Sequence, residues 1–117
     1  MSVRRIVPNI AASDLERAKA FYQQVFELEL VMDHGWIVTF AADISVRPQI
    51  SVASEGGSGT LVPDISIEVD DVDQTYRRAI EAKCEILYGV ADEPWGVRRF
   101  YVRDPFGKVL NVLSHRK

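Results

Sequence analysis

The sequence predicts an α+β fold made of two βαβββ modules in a chain of 117 residues. Three observations predict this fold. A tight turn, Asp104-Pro105-Phe106-Gly107, separates two stretches rich in strand-forming residues near the C-terminus. The order of predicted elements in the first half of the chain recurs in the second half. A single Gly/Ser-rich stretch, residues 54–60, lies between the halves and is predicted to be a flexible linker.

The first half contains one predicted helix among strands. Residues 3–10 have two unlike faces and predict the first strand. Ser13-Asp14-Leu15-Glu16 has the form of a capping box, with Ser13 as the N-cap of a helix that runs to about Val25. Three strands are predicted after this helix, at residues 28–32, 36–41 and 49–53, with Asp33-His34-Gly35 as a hairpin turn.

The second half follows the same order. Residues 64–69 alternate between apolar and polar side chains, a pattern typical of a half-buried strand. Asp70 and Asp71 can cap a second helix, whose apolar face begins with Val72 and Tyr76. Further strands are predicted at residues 84–87, 98–103 and 108–113.

The two halves keep a constant spacing. Three pairs of positions lie 57 residues apart, namely Val7 with Asp64, Ser13 with Asp70, and Glu27 with Cys84. These pairs are a strand position, a helix cap and a helix end, so one spacing fits three kinds of element. We therefore expect a single domain with modules at about 1–55 and 61–117.

Composition narrows the possible functions. Apolar residues make up 47% of the chain, charged residues 26%, and the net charge is −3 without a basic block. This balance argues against nucleic acid or a membrane surface as a partner. Cys84 is the only cysteine, so an internal disulfide is excluded, and we expect it to pack as a small apolar residue. No apolar run approaches the roughly 20 residues of a membrane span, and no signal-peptide core follows the N-terminus, so we expect a cytoplasmic protein.

An Asp-Pro-x-Gly turn that leads into the last strand of a repeated βαβββ module resembles the vicinal-oxygen-chelate superfamily. This superfamily includes glyoxalase I, extradiol dioxygenases, and fosfomycin- and bleomycin-resistance proteins. The resemblance covers the full length of the chain. It implies a curled mixed sheet whose helix-free side forms a cup-shaped crevice. The last strand often carries a metal-binding Glu in this superfamily, and Asn111 stands at the matching position here.

Metal-using members place ligands on four strands, and the ligands hold a divalent ion that chelates vicinal oxygens of the substrate. The positions that match here are Val7, Gln49 (or Ser51 if the strand register shifts), Asp64 and Asn111. Val7 has no lone pair to offer a cation. The resemblance therefore implies no metal and no other cofactor. The alternative is that Gln49, Asp64 and Asn111 hold a hard cation weakly.

The two histidines do not change this expectation. His34 falls in a predicted turn and His115 lies near the chain end, and neither aligns with a ligand position of the superfamily. We interpret both as surface residues. The absence of an aligned histidine argues against glyoxalase or dioxygenase chemistry.

The cup-shaped crevice that the resemblance implies predicts a binding site. In the strand at residues 98–103, Phe100 and Val102 suit the helix side, which places Arg99, Tyr101 and Arg103 on the cup side. No catalytic residue is predicted. The predicted ligand-binding residues are Trp95, Arg99, Tyr101, Asp64, Ser66, Glu68, Gln49 and Asn111.

Two of these predictions have structural alternatives. Trp95 lies in the loop at residues 92–96, which borders the crevice in the drug-resistance branch, and its flat face suits stacking on a planar ligand. It could instead cover the end of the sheet or a subunit contact. Arg99 with Tyr101 could orient an anionic or polar group, or Arg99 could pair with Glu68.

The resemblance implies a homodimeric, metal-free protein that binds a small molecule. Its mechanism would be sequestration of a planar or antibiotic-like ligand in an apolar and aromatic crevice. One alternative is a metal-dependent lyase, isomerase or dioxygenase with unusual ligands. Another is a divergent member whose cup is filled and which serves as an interaction module. A homodimer is expected because exposed strand edges are normally paired or protected.

Overall fold

The computed structural model describes residues 1–43 and 48–116. Within these residues it contains two helices and eight strands. In chain order they are β1 (Val3–Ala11), α1 (Leu15–Phe26), β2 (Glu29–Asp33), β3 (Ile37–Ala41), β4 (Gln49–Ala53), β5 (Ile65–Val69), α2 (Val72–Glu81), β6 (Ile86–Asp92), β7 (Val97–Arg103) and β8 (Val109–His115). The α+β class and the βαβββ order of both halves are therefore confirmed. No helix in the described part of the chain is long and apolar enough to cross a membrane.

The chain forms two compact units by its internal contacts. The first unit is Val7–Val62, and the second unit comprises Met1–Ile6 and Pro63–Lys117. The first six residues are thus grouped with the C-terminal half. Their contacts there include an ion pair between Arg5 and Glu68 at 3.0 Å. The predicted module boundaries near residues 55 and 61 stay a prediction.

The first unit is a helix packed on a mixed sheet. Its strands follow the order β2-β3-β4-β1. The β2–β3 and β3–β4 pairs are antiparallel, and β1–β4 is parallel. Val38, Phe40 and Val52 form the buried core, and Leu15 and Tyr22 of α1 pack against it. Part of the apolar surface of α1 therefore covers one side of this sheet, and the rest of that surface is exposed.

The second unit repeats this design. Its strands follow the order β5-β8-β7-β6, with β5–β8 parallel and the other two pairs antiparallel. Phe100 and Val102 lie in the buried core under α2, which confirms their predicted side of the strand. Tyr76 of α2 meets Phe100 edge-on, with ring centroids 5.1 Å apart. Side chains of the opposite set on β5, β7 and β8 therefore point to the sheet face away from α2, which we call the helix-free face.

The helix caps correct one prediction. Asp14, not Ser13, caps α1, and its carboxylate accepts the N–H of Arg17 at 3.2 Å. Asp71 caps α2 in the same way by accepting the N–H of Gln74 at 3.0 Å. A carboxylate at a helix N-terminus adds a favourable interaction with the helix dipole that the Ser13 hydroxyl lacks. The two caps are still 57 positions apart.

The two helix ends do not both fall at the pair of positions predicted for them, Glu27 and Cys84. Glu27 ends α1 in a left-handed conformation at φ 55°, but in the second half the left-handed residue is Lys83, at φ 59°, one position before Cys84. The N–H of Cys84 donates to the carbonyl of Ala79 and the N–H of Lys83 to that of Ile80, both at 3.0 Å. This is the Schellman pattern. Cys84 follows the left-handed residue and is exposed, so the expectation that it packs in the core is wrong.

The predicted turns form as expected. Asp104 Oδ1 accepts the N–H groups of Phe106 and Lys108, each at 2.8 Å, and Gly107 has φ 83°. Residues 54–60 were predicted to be a flexible linker, not a turn; in the structure the N–H of Gly56 donates to the carbonyl of Thr60 at 2.8 Å.

β6 is the least well predicted strand. It begins two residues later than expected and continues to Asp92. Its register against β7 shifts between Ile86 and Tyr88 and again between Tyr88 and Ala91. These irregularities break the period-two pattern from which a strand is predicted.

Candidate functional site

The helix-free face of the second unit brings several predicted residues together. Ser66 on β5 lies opposite Asn111 on β8, and Asn111 lies opposite Tyr101 on β7. Tyr101 in turn lies opposite Tyr88 on β6, with ring centroids 5.5 Å apart. These four residues form one transverse row across the sheet. Asn111 and Tyr101 are almost fully buried, at 8% and 1% exposure.

A buried ion pair lies beside this row. Arg99 Nε is 2.7 Å from Glu93 Oε2, and the two side chains are only 3% and 5% exposed. The hydroxyl of Tyr88 donates to Glu93 Oε2 at 3.2 Å, and Arg99 Nη1 donates to the hydroxyl of Tyr101 at 3.0 Å. A buried charge pair needs such further hydrogen bonds because water no longer solvates it.

Three aromatic rings surround the same guanidinium. The Arg99 Cζ atom lies 4.9 Å from the ring centroid of Trp95, 5.0 Å from that of Tyr101 and 5.3 Å from that of Tyr88. These distances are within the range of cation–π attraction. We call Tyr88, Glu93, Trp95, Arg99 and Tyr101 the Arg99 cluster. It contains three of the predicted binding residues.

Sequence reasoning missed Glu93 as the partner of Arg99. The alternative expectation was an ion pair between Arg99 and Glu68. Glu68 instead lies 3.0 Å from Arg5 and 2.9 Å from His115 Nδ1. Glu93 is in the turn before β7, and a contact from a turn to the following strand leaves no periodic signal in the sequence.

The Asp64 carboxylate is hydrogen-bonded to the backbone of the second unit. Its Oδ2 accepts the N–H of Val109 at 2.8 Å, while its own N–H donates to the carbonyl of Val109 at 2.8 Å. The side chain therefore extends the hydrogen-bonded ladder between the start of β5 and the start of β8. Trp95, Arg99, Tyr101, Asp64, Ser66, Glu68 and Asn111 all belong to the second unit.

Asn111 is the most unusual polar residue on the helix-free face. Its Nδ2 donates to Ser66 Oγ at 3.1 Å. Its Oδ1 is shielded from solvent and has no hydrogen-bond partner among the described residues. An amide in this position is neutral and uses its donor inside the protein.

Gln49 belongs to the first unit, where it lies opposite Ala41 at the start of β4. The strand registers identify a different counterpart of Asn111. Asn9 pairs with Ser51 in the first unit as Ser66, 57 positions later, pairs with Asn111 in the second. This favours Ser51 over Gln49 as the equivalent position. The Ser51 hydroxyl is buried and shares a hydrogen bond of 2.7 Å with Thr39 Oγ1.

These donors do not fit the divalent ion of the metal-using members. Within residues 1–43 and 48–116, no three His, Cys, Asp or Glu side chains are grouped so that they could hold a metal ion. Val7 offers no lone pair, Ser51 is a neutral hydroxyl, and Asn111 is a neutral amide. Asp64 is the single carboxylate among these positions, and one carboxylate with a hydroxyl and an amide is a poor donor set for a transition metal.

The neighbouring arginine has a different environment. Arg98 points to the α2 side of the sheet, where Nη2 is 3.0 Å from Asp73 Oδ1 and Nη1 is 3.1 Å from Asp92 Oδ1. Hydrogen bonds to Asp73 and then to Asp92 raise the pKa of Arg98 above its ordinary value. Its side chain is 37% exposed, in contrast to that of Arg99.

The first unit has a separate surface groove. An open concavity of about 540 Å³ lies between the end of β1 and the start of α1. Ile10, Asp14, Arg17 and Phe21 are among its lining residues. None of the predicted binding residues lines this groove.

Two βαβββ modules, each with one helix on a mixed sheet, define a glyoxalase-like protein. The family model described as Glyoxalase/Bleomycin resistance protein/Dioxygenase superfamily matches residues 4–112. The chain belongs to this superfamily. No curated protein matches the sequence.

Solved structures support the same fold. A glyoxalase/bleomycin resistance protein/dioxygenase superfamily member from Vibrio splendidus 12B01 is 20% identical, with a TM-score of 0.68 over 97% of this chain and 99% of that one. A variant of Streptomyces coelicolor methylmalonyl-CoA epimerase, in complex with 2-nitronate-propionyl-CoA, is 16% identical, with a TM-score of 0.74 over 99% and 100%. A structure described as NAD-dependent benzaldehyde dehydrogenase from Legionella pneumophila is 11% identical, with a TM-score of 0.77 over 96% and 100%. At these identities the likeness concerns the fold alone.

Proposed function

We propose that this protein binds a small planar molecule without the divalent ion of the metal-using members of its superfamily. The observation that carries the proposal is the hydrogen bonding of the Asp64 carboxylate. Its carboxylate accepts a backbone N–H of β8, and the other matching positions hold an apolar side chain, a hydroxyl and an amide. Such a donor set suits hydrogen bonding to an organic ligand better than coordination of a transition metal.

The Arg99 cluster supports an aromatic binding surface. Trp95 is partly buried, and its ring lies against the guanidinium at 4.9 Å. A ring supported in this way has little conformational freedom to lose when a planar ligand stacks on it. We propose sequestration as the mechanism, with Trp95 as the stacking surface and Ser66 and Asn111 as neighbouring polar groups.

A metal-dependent lyase, isomerase or dioxygenase is the alternative from a different class. Elemental analysis of the untagged protein separates the two proposals, and we expect no stoichiometric zinc, nickel, iron or manganese. A near-stoichiometric metal that is lost in Asp64→Ala and Gln49→Ala would replace our proposal with the enzyme. Ser51→Ala is the variant matched to Gln49→Ala, because Ser51 takes the ligand position if the strand register shifts.

A thermal-shift screen of planar aromatic compounds tests ligand binding directly. A compound that binds only the folded state raises the melting temperature, and above Kd the stabilisation grows with the logarithm of its concentration. We expect hits among neutral or anionic planar molecules. A screen without any hit would instead favour the interaction module.

We also propose that the protein is a cytoplasmic homodimer. Phe21, Val25 and Phe26 of α1 are 50%, 58% and 57% exposed, an unusual amount of apolar surface for one helix. Self-association would cover this surface, and closed two-fold symmetry is the commonest arrangement of soluble homo-oligomers. Light scattering coupled to size exclusion should give twice the chain mass, and a monomer at micromolar concentration would contradict the dimer.

A further inference from the structure

We propose that Arg99 is a positioning residue for Trp95 and not a group that contacts the ligand. The guanidinium, held by Glu93 and Tyr101, would be the internal surface against which the Trp95 ring is fixed. This inference rests on the proposed function only in taking Trp95 as the binding surface. It reassigns a residue that the sequence predicts to bind the ligand.

The turn that carries Trp95 fixes its backbone but not its ring. This turn joins β6 to β7, and the N–H of Glu93 donates to the carbonyl of Val97 at 2.8 Å. Gly96, at φ 93°, takes a backbone conformation that favours glycine. Neither feature restricts the side-chain torsions of Trp95, so a side-chain contact has to hold the indole.

Glu93 links the turn to the strand. It precedes Trp95 by two residues, and its carboxylate accepts from Arg99 Nε at 2.7 Å and from the Tyr88 hydroxyl at 3.2 Å. Because both side chains are at least 95% buried, breaking the pair in place would leave each charge without a partner and without solvation by water. The position of Arg99 relative to the turn is therefore set by a strong, directional contact.

The shape of the guanidinium explains why an arginine is needed here. Its hydrogen bonds lie in its plane, where Nε donates to Glu93 and Nη1 donates to Tyr101. Its flat faces remain available for stacking on rings, and Trp95 has the shortest of the three Cζ-to-centroid distances. A lysine has a compact ammonium group and cannot combine in-plane donation with stacking.

Trp95 fluorescence tests this role without any ligand. The chain has two tryptophans, so Trp36→Phe leaves Trp95 as the single reporter. In this background we compare acrylamide quenching of Arg99→Lys and of the double variant Arg99→Met with Glu93→Gln. Losing the cation–π contact should increase the quenching constant clearly above that of the parent, because the indole is then no longer held against the guanidinium. Arg98→Lys is the matched control, because Arg98 faces α2, and it should leave quenching unchanged.

Chemical rescue separates positioning from a general loss of structure. In Arg99→Ala, guanidinium ion at concentrations far below those that unfold the protein should restore the shielding of Trp95. Urea, which is planar and of similar size but neutral, should not restore it. The inference is overturned if Arg99→Lys shields Trp95 as the parent does, or if Arg98→Lys exposes it equally. It is also overturned if guanidinium and urea act alike.

The quenching test can fail or succeed separately from the proposed function. Should Arg99→Ala fail to fold, the quenching of Arg99→Lys and of the charge-free double variant still decides the question. If quenching follows the expectation but Trp95→Ala binds the screening hits as tightly as the parent, the positioning role stands. In that case the proposed binding surface is wrong.

Discussion

Glu93 Oε2 and Arg99 Nε lie 2.7 Å apart in a part of the second unit from which solvent is almost excluded. Removing one charge of such a pair leaves the other unpaired in the protein interior. Glu93→Gln should therefore lower the free energy of unfolding by about 3 to 5 kcal/mol. Urea denaturation followed by circular dichroism measures this change.

Removing both charges tests the cause of that loss. The double variant Arg99→Met with Glu93→Gln should recover most of the stability, because no buried charge is then left alone. Arg98→Met is the control for a partly exposed pair and should cost at most about 1 kcal/mol. Equal losses in the single and the double variants would show that packing, not charge, dominates this position.

The proposed stacking surface predicts a difference between the two tryptophans. Truncation of an aromatic anchor typically costs about 2 kcal/mol of binding, or roughly thirtyfold in affinity. Trp95→Ala should weaken a hit from the screen by at least this factor. Trp36 lies beside His34 in the first unit, with ring centroids 6.2 Å apart, and Trp36→Phe should leave the affinity nearly unchanged. Calorimetric titration of both variants is the measurement, and equal affinities would move the site away from Trp95.

The amide of Asn111 predicts an unusual response to an apolar substitution. Asn111→Leu removes the Oδ1 atom that has no hydrogen-bond partner among the described residues, together with the bond to Ser66. The two effects oppose each other, so the free energy of unfolding should change by no more than about 1 kcal/mol. Asn111→Asp has the same size but buries a charge, and should be clearly more destabilising. If Asn111→Leu costs as much as Asn111→Asp, the amide is better satisfied than the structure indicates.

The lowered pKa values of two carboxylates predict how the free energy of unfolding changes in acid. The backbone N–H of Ser2 lowers the pKa of Asp70, and Lys19 followed by the N–H of Gly35 lowers that of Asp33, in both cases from an ordinary 3.8. Because the folded-state pKa is the lower one, their contribution is present above 3.8 and is lost as the pH falls through the folded-state value. Urea titrations between pH about 5 and 2 should show this loss. Asp70→Asn should flatten the profile, and a profile identical to that of the parent would contradict the role of Asp70.

Local signals predicted most of the fold. β4 was predicted at its observed bounds, and the Asp104 turn formed as its residues indicate, because both depend on neighbours in the sequence. The cap of α1 was placed at Ser13 instead of Asp14, since two adjacent capping residues compete and only the helix geometry chooses between them. The partner of Arg99 was not predicted, because an ion pair from a turn to a strand follows no sequence period.

The sequence selected three residues that lie together in the Arg99 cluster, and their role in binding a ligand stays a prediction. Arg99, Tyr101 and Trp95 were selected together from strand alternation and from the loop before β7, and the structure brings them into contact. Asp64 was selected as a ligand position, but its carboxylate bonds to the N–H of Val109. That bond depends on the parallel register of β5 and β8, which the sequence of either strand alone does not determine.

The grouping of Met1–Ile6 with the second unit has a practical consequence for dividing this protein. A cut between Val62 and Pro63, the obvious boundary between the halves, would leave those six residues on the wrong fragment. The C-terminal fragment would lose the Arg5 side chain that pairs with Glu68 and the backbone that bonds to Asp70. Such fragments should fold poorly alone and regain structure when mixed, as in a split-reporter pair. A circular permutant that begins at Pro63 and joins the original termini would instead keep the second unit in one continuous stretch.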